Sequence, residues 1–343
     1  MIVNLISDTI TKPSPKMLEA MFSATVGDDV FKEDPSVNKL ESEVASLFGK
    51  EAALFFPSGT MTNQTAIKVH TQPGEQIICD HYSHIFNYEG GGVSFNSGVS
   101  CKMILGDRGR INAEQISESI NPSDFYHSPK TSLVCLENTT NKGGGAIYDL
   151  NEILKIREVC VKNKLGLHLD GARLWNALEV TNENPKKYGE LFDTISLCLS
   201  KGLGCPVGSV LVGSKKYINK ALRIRKVFGG GMRQAGYLAA AGSYALKYHR
   251  SDLNNDHKKA KEIASALKKC SFVKEVKPVE TNIIIFSLKN QHDEISFVEK
   301  LKNKNILILS LGKGKLRMVT HRDYTDGQHL YLLETLPKIE YND

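Results

Sequence analysis

Apolar residues along this chain fall into two rhythms. Short, largely apolar runs recur at Ala52–Phe56, Gln76–Asp80, Ser132–Glu137, Gly166–Asp170, Thr194–Leu199 and Gly208–Gly213. Between them, Met61–Thr71, Asp149–Asn163 and Lys215–Val227 carry apolar residues at three- and four-residue spacing. The first rhythm predicts strands buried on both faces, the second amphipathic helices. Their alternation predicts an α/β fold, a mainly parallel sheet sandwiched by helices with right-handed crossovers. Residues 1–35 are polar, carry Pro13, Pro15 and Pro35, and read as an arm with one helix near Pro15–Ala24. Residues 36–49 place Val37, Leu40, Val44, Leu47 and Phe48 at helical spacing and stop at Gly49. Further on, Met232–Tyr248 and Asp256–Lys269 read as helices. Ile283–Ser287, a helix at Glu294–Lys302, Ile306–Leu309 and Lys315–Val319 follow. This tail predicts a smaller α+β unit, dividing the chain into a large domain at 1–250, arm included, and a small domain at 251–343.

Composition narrows the choice. The chain has 343 residues, 41% of them apolar, enough for a sizeable core. No run approaches the ~18 apolar residues of a membrane helix, and Met1–Asp8 has no signal-peptide character. A net charge of +6 without a basic run of five does not point to nucleic acid, and suits a small anionic ligand. Seven cysteines form no C-x-x-C pair, which argues against a zinc ribbon or a redox motif and for a reduced, cytoplasmic protein.

Polar residues gather where these strands end, the place at which open α/β sheets bind ligands. Pro57–Asn63 follows a strand and opens a helix. Gly59 and Thr60 suit a phosphate at the positive helix end, or form a plain capped turn. Asp170 ends an apolar strand beside Gly171 and Ala172, placed to hold a cationic ring nitrogen or to cap the next helix. Lys201 follows a strand and precedes a Gly-rich turn, either an amine nucleophile or a solvated lysine. Gly229–Gly231 before Arg233 read as a second anion-binding turn or a flexible connection. The order phosphate cup, acid, lysine is more specific than any one cluster, and it matches what pyridoxal phosphate requires.

On these residues the chain resembles the low-specificity L-threonine aldolases, pyridoxal-phosphate enzymes of the aspartate-aminotransferase-like (fold type I) group. The resemblance runs through Ser7-Asp8-Thr9 with Thr11-Lys12-Pro13, Val26–Val30, Glu33-Asp34-Pro35, Ser58–Asn63 and Ser83-His84-Ile85. It continues through Asp170–Arg173, Leu199–Gly202 with Pro206–Ser209, Gly229–Gly236, and Arg317 with Val319-Thr320-His321. It implies that Lys201 is the Schiff-base lysine, that Asp170 pairs with the pyridinium nitrogen, and that His84 stacks on the ring. Gly59, Thr60 and Ser200 would hold the phosphate, with Arg233 reaching in from a neighbouring subunit. Ser7, Arg173 and Arg317 would bind the substrate carboxylate, and His127 would be a second active-site histidine. A homodimer or homotetramer with sites at the dimer interface is implied as well.

The chain departs from the family pattern at four places. Ile6 stands where an arginine is usual, Phe31 for a tyrosine, Lys32 for a glycine and Thr140 for a histidine. Phe31 and Thr140 are expected near the substrate side chain, where they would broaden preference. The implied reaction is retro-aldol cleavage of L-threonine, L-allo-threonine and related β-hydroxy-α-amino acids to glycine and an aldehyde. His84, His127 and a water remain open as the base for the β-hydroxyl proton. A β-eliminating lyase on the same fold and a catalytically silent binding homologue are the rival readings.

Overall fold

The computed structural model describes residues 1–339. In chain order its strands are β1 (Val3–Asn4), β2 (Ala52–Phe56), β3 (Gln76–Asp80), β4 (Ser100–Ile104), β5 (Thr131–Glu137), β6 (Gly166–Gly171), β7 (Thr194–Cys198), β8 (Ser209–Gly213), β9 (Val273–Val276), β10 (Ile283–Leu288), β11 (Ile306–Leu307), β12 (Leu309–Gly312) and β13 (Lys315–Val319). Seven of them form one sheet in the order β2-β8-β7-β6-β5-β3-β4. Only β8 runs against its neighbours, pairing antiparallel with β2 and β7. The other pairings are parallel, so the expected α/β fold with a mainly parallel sheet is the observed one.

The sheet is covered on both faces. On one side the helices Pro35–Leu47, Leu150–Lys162 and Gly236–Tyr248 pack with Leu167, Leu169, Ile195, Leu197 and Val210 into the main core. On the other, Gly59–His70 and Lys215–Val227 cover Leu54, Phe56 and Leu211. The expected helix at Met232–Tyr248 begins only at Gly236, because Gly229–Arg233 form an irregular turn. β4 was not expected. It is an edge strand with mostly exposed or half-exposed residues and so lacks a buried apolar signature.

A second sheet, β12-β13-β10-β9, is antiparallel throughout and packs on the helix Leu253–Leu267. The N-terminal residues pack beside it: β1 and β11 form a separate parallel pair, and Val3 and Leu5 are fully buried in the core they share with the second sheet. The arm is tied to the large sheet by Asp34, a fully buried N-cap. One carboxylate oxygen accepts the amides of Ser36 and Val37, both at 3.0 Å. The other accepts those of Gly27 at 3.2 Å and Gly236 at 2.9 Å. Buried Arg225 adds a second tie, donating to Asp29 and to the carbonyl of Phe55, both at 2.7 Å.

Replacing Asp34 removes the acceptor for four amides at once. Asp34→Ala is expected to lower the unfolding free energy by roughly 4 kcal/mol, and Asp34→Asn by less because one oxygen is kept. Urea denaturation measures both, and a loss under ~1 kcal/mol for the alanine variant would show that water replaces the carboxylate.

Candidate active site

β2, β3, β5, β6 and β7 run in one direction, and the polar residues at or just past their C-terminal ends come to the same edge. β5 ends at Glu137 and β6 carries Asp170 opposite it. Past β7 come Ser200 and Lys201, past β3 come Ser83 and His84, and past β2 comes the helix start at Gly59. This is the edge at which ligands bind such sheets.

Lys201 is half-buried, and its Nζ lies 3.4 Å from the Cys198 sulfur. Thr11 and Gly204 donate to its carbonyl at 2.7 and 2.8 Å, which fixes the turn. Gly208 closes that turn at φ 121°, where a side chain would strike the Phe55 ring. Gly59 faces the same sulfur, and a Cβ there would sit 2.6 Å from it. Glycine therefore leaves open the space between the helix start and the lysine. Ser58 caps this helix through the Met61 amide, and the amides of Gly59 and Thr60 have no partner within the helix. An anion fits there.

Asp170 is buried and held on both oxygens, by the Ala172 amide at 3.1 Å and by Asn63 Nδ2 at 2.9 Å. Asn63 Nδ2 also donates to Glu89, again at 2.9 Å. One amide group thus sits between two carboxylates. The network continues behind it. His168 is fully buried, and burial pulls its ring down to about 4, so the ring is neutral. Its Nε2 meets the Asn63 side-chain oxygen at 3.3 Å. Its Nδ1 faces the Thr194 carbonyl at 3.1 Å and Thr194 Oγ1 at 2.9 Å, and that hydroxyl lies 3.0 Å from His70 Nε2.

His84 completes this side. Its Nδ1 lies 2.9 Å from Glu89, an acceptor, so the proton resides on Nδ1 and Nε2 is left free. Burial opposes the imidazolium. The Glu89 hydrogen bond and the charges of Asp170, Glu89 and Glu137 outweigh it and raise the ring above its ordinary value. Glu137 accepts the backbone amides of His84 at 2.7 Å and Asn141 at 2.6 Å. Burial, then the nearby Asp170 charge, push Glu137 up to about 7.

The cationic wall lies opposite. Arg173 grips Asp8 with Nε at 2.8 Å and Nη2 at 2.7 Å, both side chains buried. Burial alone would raise Asp8, but Arg173, Lys201 and Arg317 hold it well below the usual carboxylate range. Arg317 on β13 donates to Asn141 at 2.9 Å, and its buried Nε has no partner. Burial and the Arg173 charge bring Arg317 down to about 10. Two guanidinium groups thus stand near one carboxylate, which only Arg173 grips, and a second anion suits the remaining positive charge.

The expected residues divide accordingly. Lys201, Ser200, Asp170, His84, Gly59, Thr60, Arg173 and Arg317 come to one edge. Ser7 lies next to Asp8, its hydroxyl accepting from the Thr9 amide and hydroxyl. His127 lies on an exposed loop against Phe125 and Tyr126, with no hydrogen bond or ion pair to this group among the described residues. Arg233 is exposed and paired with Asp28 at 2.8 Å, while Gly230 packs against Met61 of the Gly59 helix. Thr140 is buried and donates to the Arg108 carbonyl at 2.9 Å, and Phe31 is exposed. The sequence reading missed Asp8, Asn63, Glu89, Glu137 and Asn141 as site residues. Glu137 carries the signal that picked out Asp170, an acid ending an apolar strand.

A lysine past one strand, an acid on the next and a free helix N-terminus form the architecture of the fold type I pyridoxal-phosphate enzymes. The chain belongs to the beta-eliminating lyase family, whose model matches residues 4–291. Among its relatives, low-specificity L-threonine aldolase 1 of Arabidopsis thaliana is 40% identical over 96% of this chain and 94% of its own. The low specificity L-threonine aldolase of Escherichia coli K12 is 39% identical, covering 95% and 96%. The solved threonine aldolase of Leishmania major shares the fold with a TM-score of 0.85 at 22% identity, covering 98% and 99%. Serine palmitoyltransferase of Sphingomonas wittichii shares it at 0.77 and 17%, covering 98% and 86%.

The neutral His168 makes stability pH-dependent. Its folded value of about 4 lies below the unfolded value of 6.5, so the unfolded chain binds the extra proton between them. Its contribution is complete above 6.5 and is lost as pH falls toward 4. His168→Gln should remove about 1.4 kcal/mol per pH unit from the acid slope in that window. Denaturation at stepped pH measures this, and an unchanged slope would contradict a neutral ring.

Proposed function

We propose that this protein cleaves L-threonine, L-allo-threonine and related β-hydroxy-α-amino acids to glycine and an aldehyde, with pyridoxal phosphate as cofactor. The observation that carries the reading is His84. Its Nδ1 proton is committed to a buried carboxylate and its Nε2 is free, so a base stands beside the lysine, the acid and the open arginine. The two curated relatives above bear the name of this activity.

Lys201 would attach the cofactor in the space that Gly59 leaves open beside Cys198. The Gly59 and Thr60 amides and Ser200 would hold its phosphate, and the Asp170 carboxylate would favour protonation of its ring nitrogen. When bound, the cofactor supplies the electron sink for breaking the Cα–Cβ bond. His84 would take the β-hydroxyl proton at Nε2, and Glu89 on Nδ1 would stabilise the resulting imidazolium. Arg317 binds the substrate carboxylate with Ser7 and Arg173, whose Nη1 is the part of its fork not given to Asp8. Fixing that carboxylate selects which bond at Cα is set to break. His127 remains a second candidate, reaching the site by movement of its loop or from a neighbour.

The same reading makes the protein a homodimer or homotetramer in which Arg233 assists a neighbour's phosphate site. Its exposure and its place on a turn beside Met61 support this. No described helix is long and apolar enough to cross a membrane. Seven unbridged cysteines support a cytoplasmic setting.

The test is product identity. Glycine and acetaldehyde from L-threonine are expected. Pyruvate and ammonia from cysteine, tyrosine or tryptophan, without glycine from threonine, would make the protein a β-eliminating lyase instead. Glu89→Gln should move the acid limb of kcat/KM to lower pH, because the neutral amide no longer raises His84. An unmoved limb would remove His84 as the base.

A further inference from the structure

Lys142 belongs to none of the groups described so far. It is half-buried and, among the described residues, forms no ion pair or hydrogen bond; its Nζ stands 5.3 Å from the centre of the Tyr88 ring. Tyr88 in turn lies 5.6 Å from the His84 ring and is near enough to Arg317 to act on its charge. Lys142 cannot drift far, because Asn141 before it is pinned three ways. Its amide donates to Glu137 at 2.6 Å, and its Oδ1 accepts from Arg317 at 2.9 Å and more weakly from Arg173 at 3.5 Å.

The nearby carboxylates are all engaged elsewhere. Asp8 holds Arg173, Glu89 holds His84, Gln64 and Asn63, Asp170 holds Asn63 and Ala172, and Glu137 holds two amides. Arg108, the next cation along, is taken by Glu280. A partly desolvated ammonium over an aromatic face, with no anion in reach, is a recognition element lacking its partner.

A substrate held as proposed above, with its α-carboxylate on Arg317 and its β-hydroxyl toward His84, would direct its β-substituent toward Tyr88 and Lys142. We propose that Lys142 selects β-hydroxy-α-amino acids whose β-substituent is itself a carboxylate, 3-hydroxyaspartate being the simplest. This rests on the reaction proposed above. Breaking Cα–Cβ of 3-hydroxyaspartate gives glyoxylate from the β-carbon and glycine from the α-carbon. The hydroxyl proton leaves to the base, Cα gains a proton, and nothing is oxidised or reduced overall.

The experiment measures kcat/KM for 3-hydroxyaspartate, L-threonine and L-phenylserine with the holoenzyme, its Lys142→Met and Lys142→Arg variants. The ratio of 3-hydroxyaspartate to threonine should fall about tenfold or more in Lys142→Met and be largely kept in Lys142→Arg. It should also decline with added salt in the parent. A binding readout stands apart from turnover: calorimetry with L-aspartate and L-asparagine, near-isosteres without a β-hydroxyl. Aspartate should bind more tightly than asparagine in the parent, and the two alike in Lys142→Met. An unmoved ratio in Lys142→Met, or a preference for phenylserine that ignores salt, would overturn the inference and make Tyr88 an apolar platform. Failure of the parent to release glycine from any of the three substrates would overturn the underlying reaction instead.

Discussion

A carboxylate and a guanidinium buried together at the meeting point of three parts of the chain govern this site. Asp8 comes from the arm, Arg173 from the end of β6, and Asn282, which also donates to Asp8 at 3.1 Å, from the start of β10. Removing either charge would leave the other buried and unpaired, at a cost of several kcal/mol, about 3–5 in comparable cases. The pair therefore fixes the arm, the large sheet and the second sheet relative to one another. Through that fixed frame Lys201, Asp170 and Arg317 face the same space.

The two sides of the site have opposite electrostatics. On one side, a series of hydrogen-bonding groups runs from His70 through Thr194, His168 and Asn63, whose amide donates to both Asp170 and Glu89. On the other, the guanidinium groups of Arg173 and Arg317 outnumber Asp8. One side of the site is therefore acidic and the other basic.

Much of this was legible in the sequence, for a physical reason. Strands buried on both faces must be apolar, so β2, β3 and β5–β8 stand out, and whatever polar residue ends them is conspicuous. Asp170 and Lys201 were found that way. Edge strands such as β4 and β9 need no such purity and gave no signal. A motif fixes a position in the chain, not the direction of a side chain: Thr140 donates to the Arg108 carbonyl, and Phe31 is exposed. Asn63 and Glu89 matter only because they meet across 26 positions, a fact that no local spacing records.

The pairing of β1 with β11 bears on how the molecule comes into being on the ribosome. Asp8 and Asn282 are 274 positions apart, and Val3 and Leu5 have no core to enter until the second sheet exists. At ~5–20 residues per second, the emerging arm waits on the order of a quarter-minute to a minute for its partners. During that interval the large sheet can assemble, but Arg317 has not been made and Asp8 has no sealed environment. The large sheet can thus form before Arg317 exists, and the second sheet's contribution to the site is the last to be made.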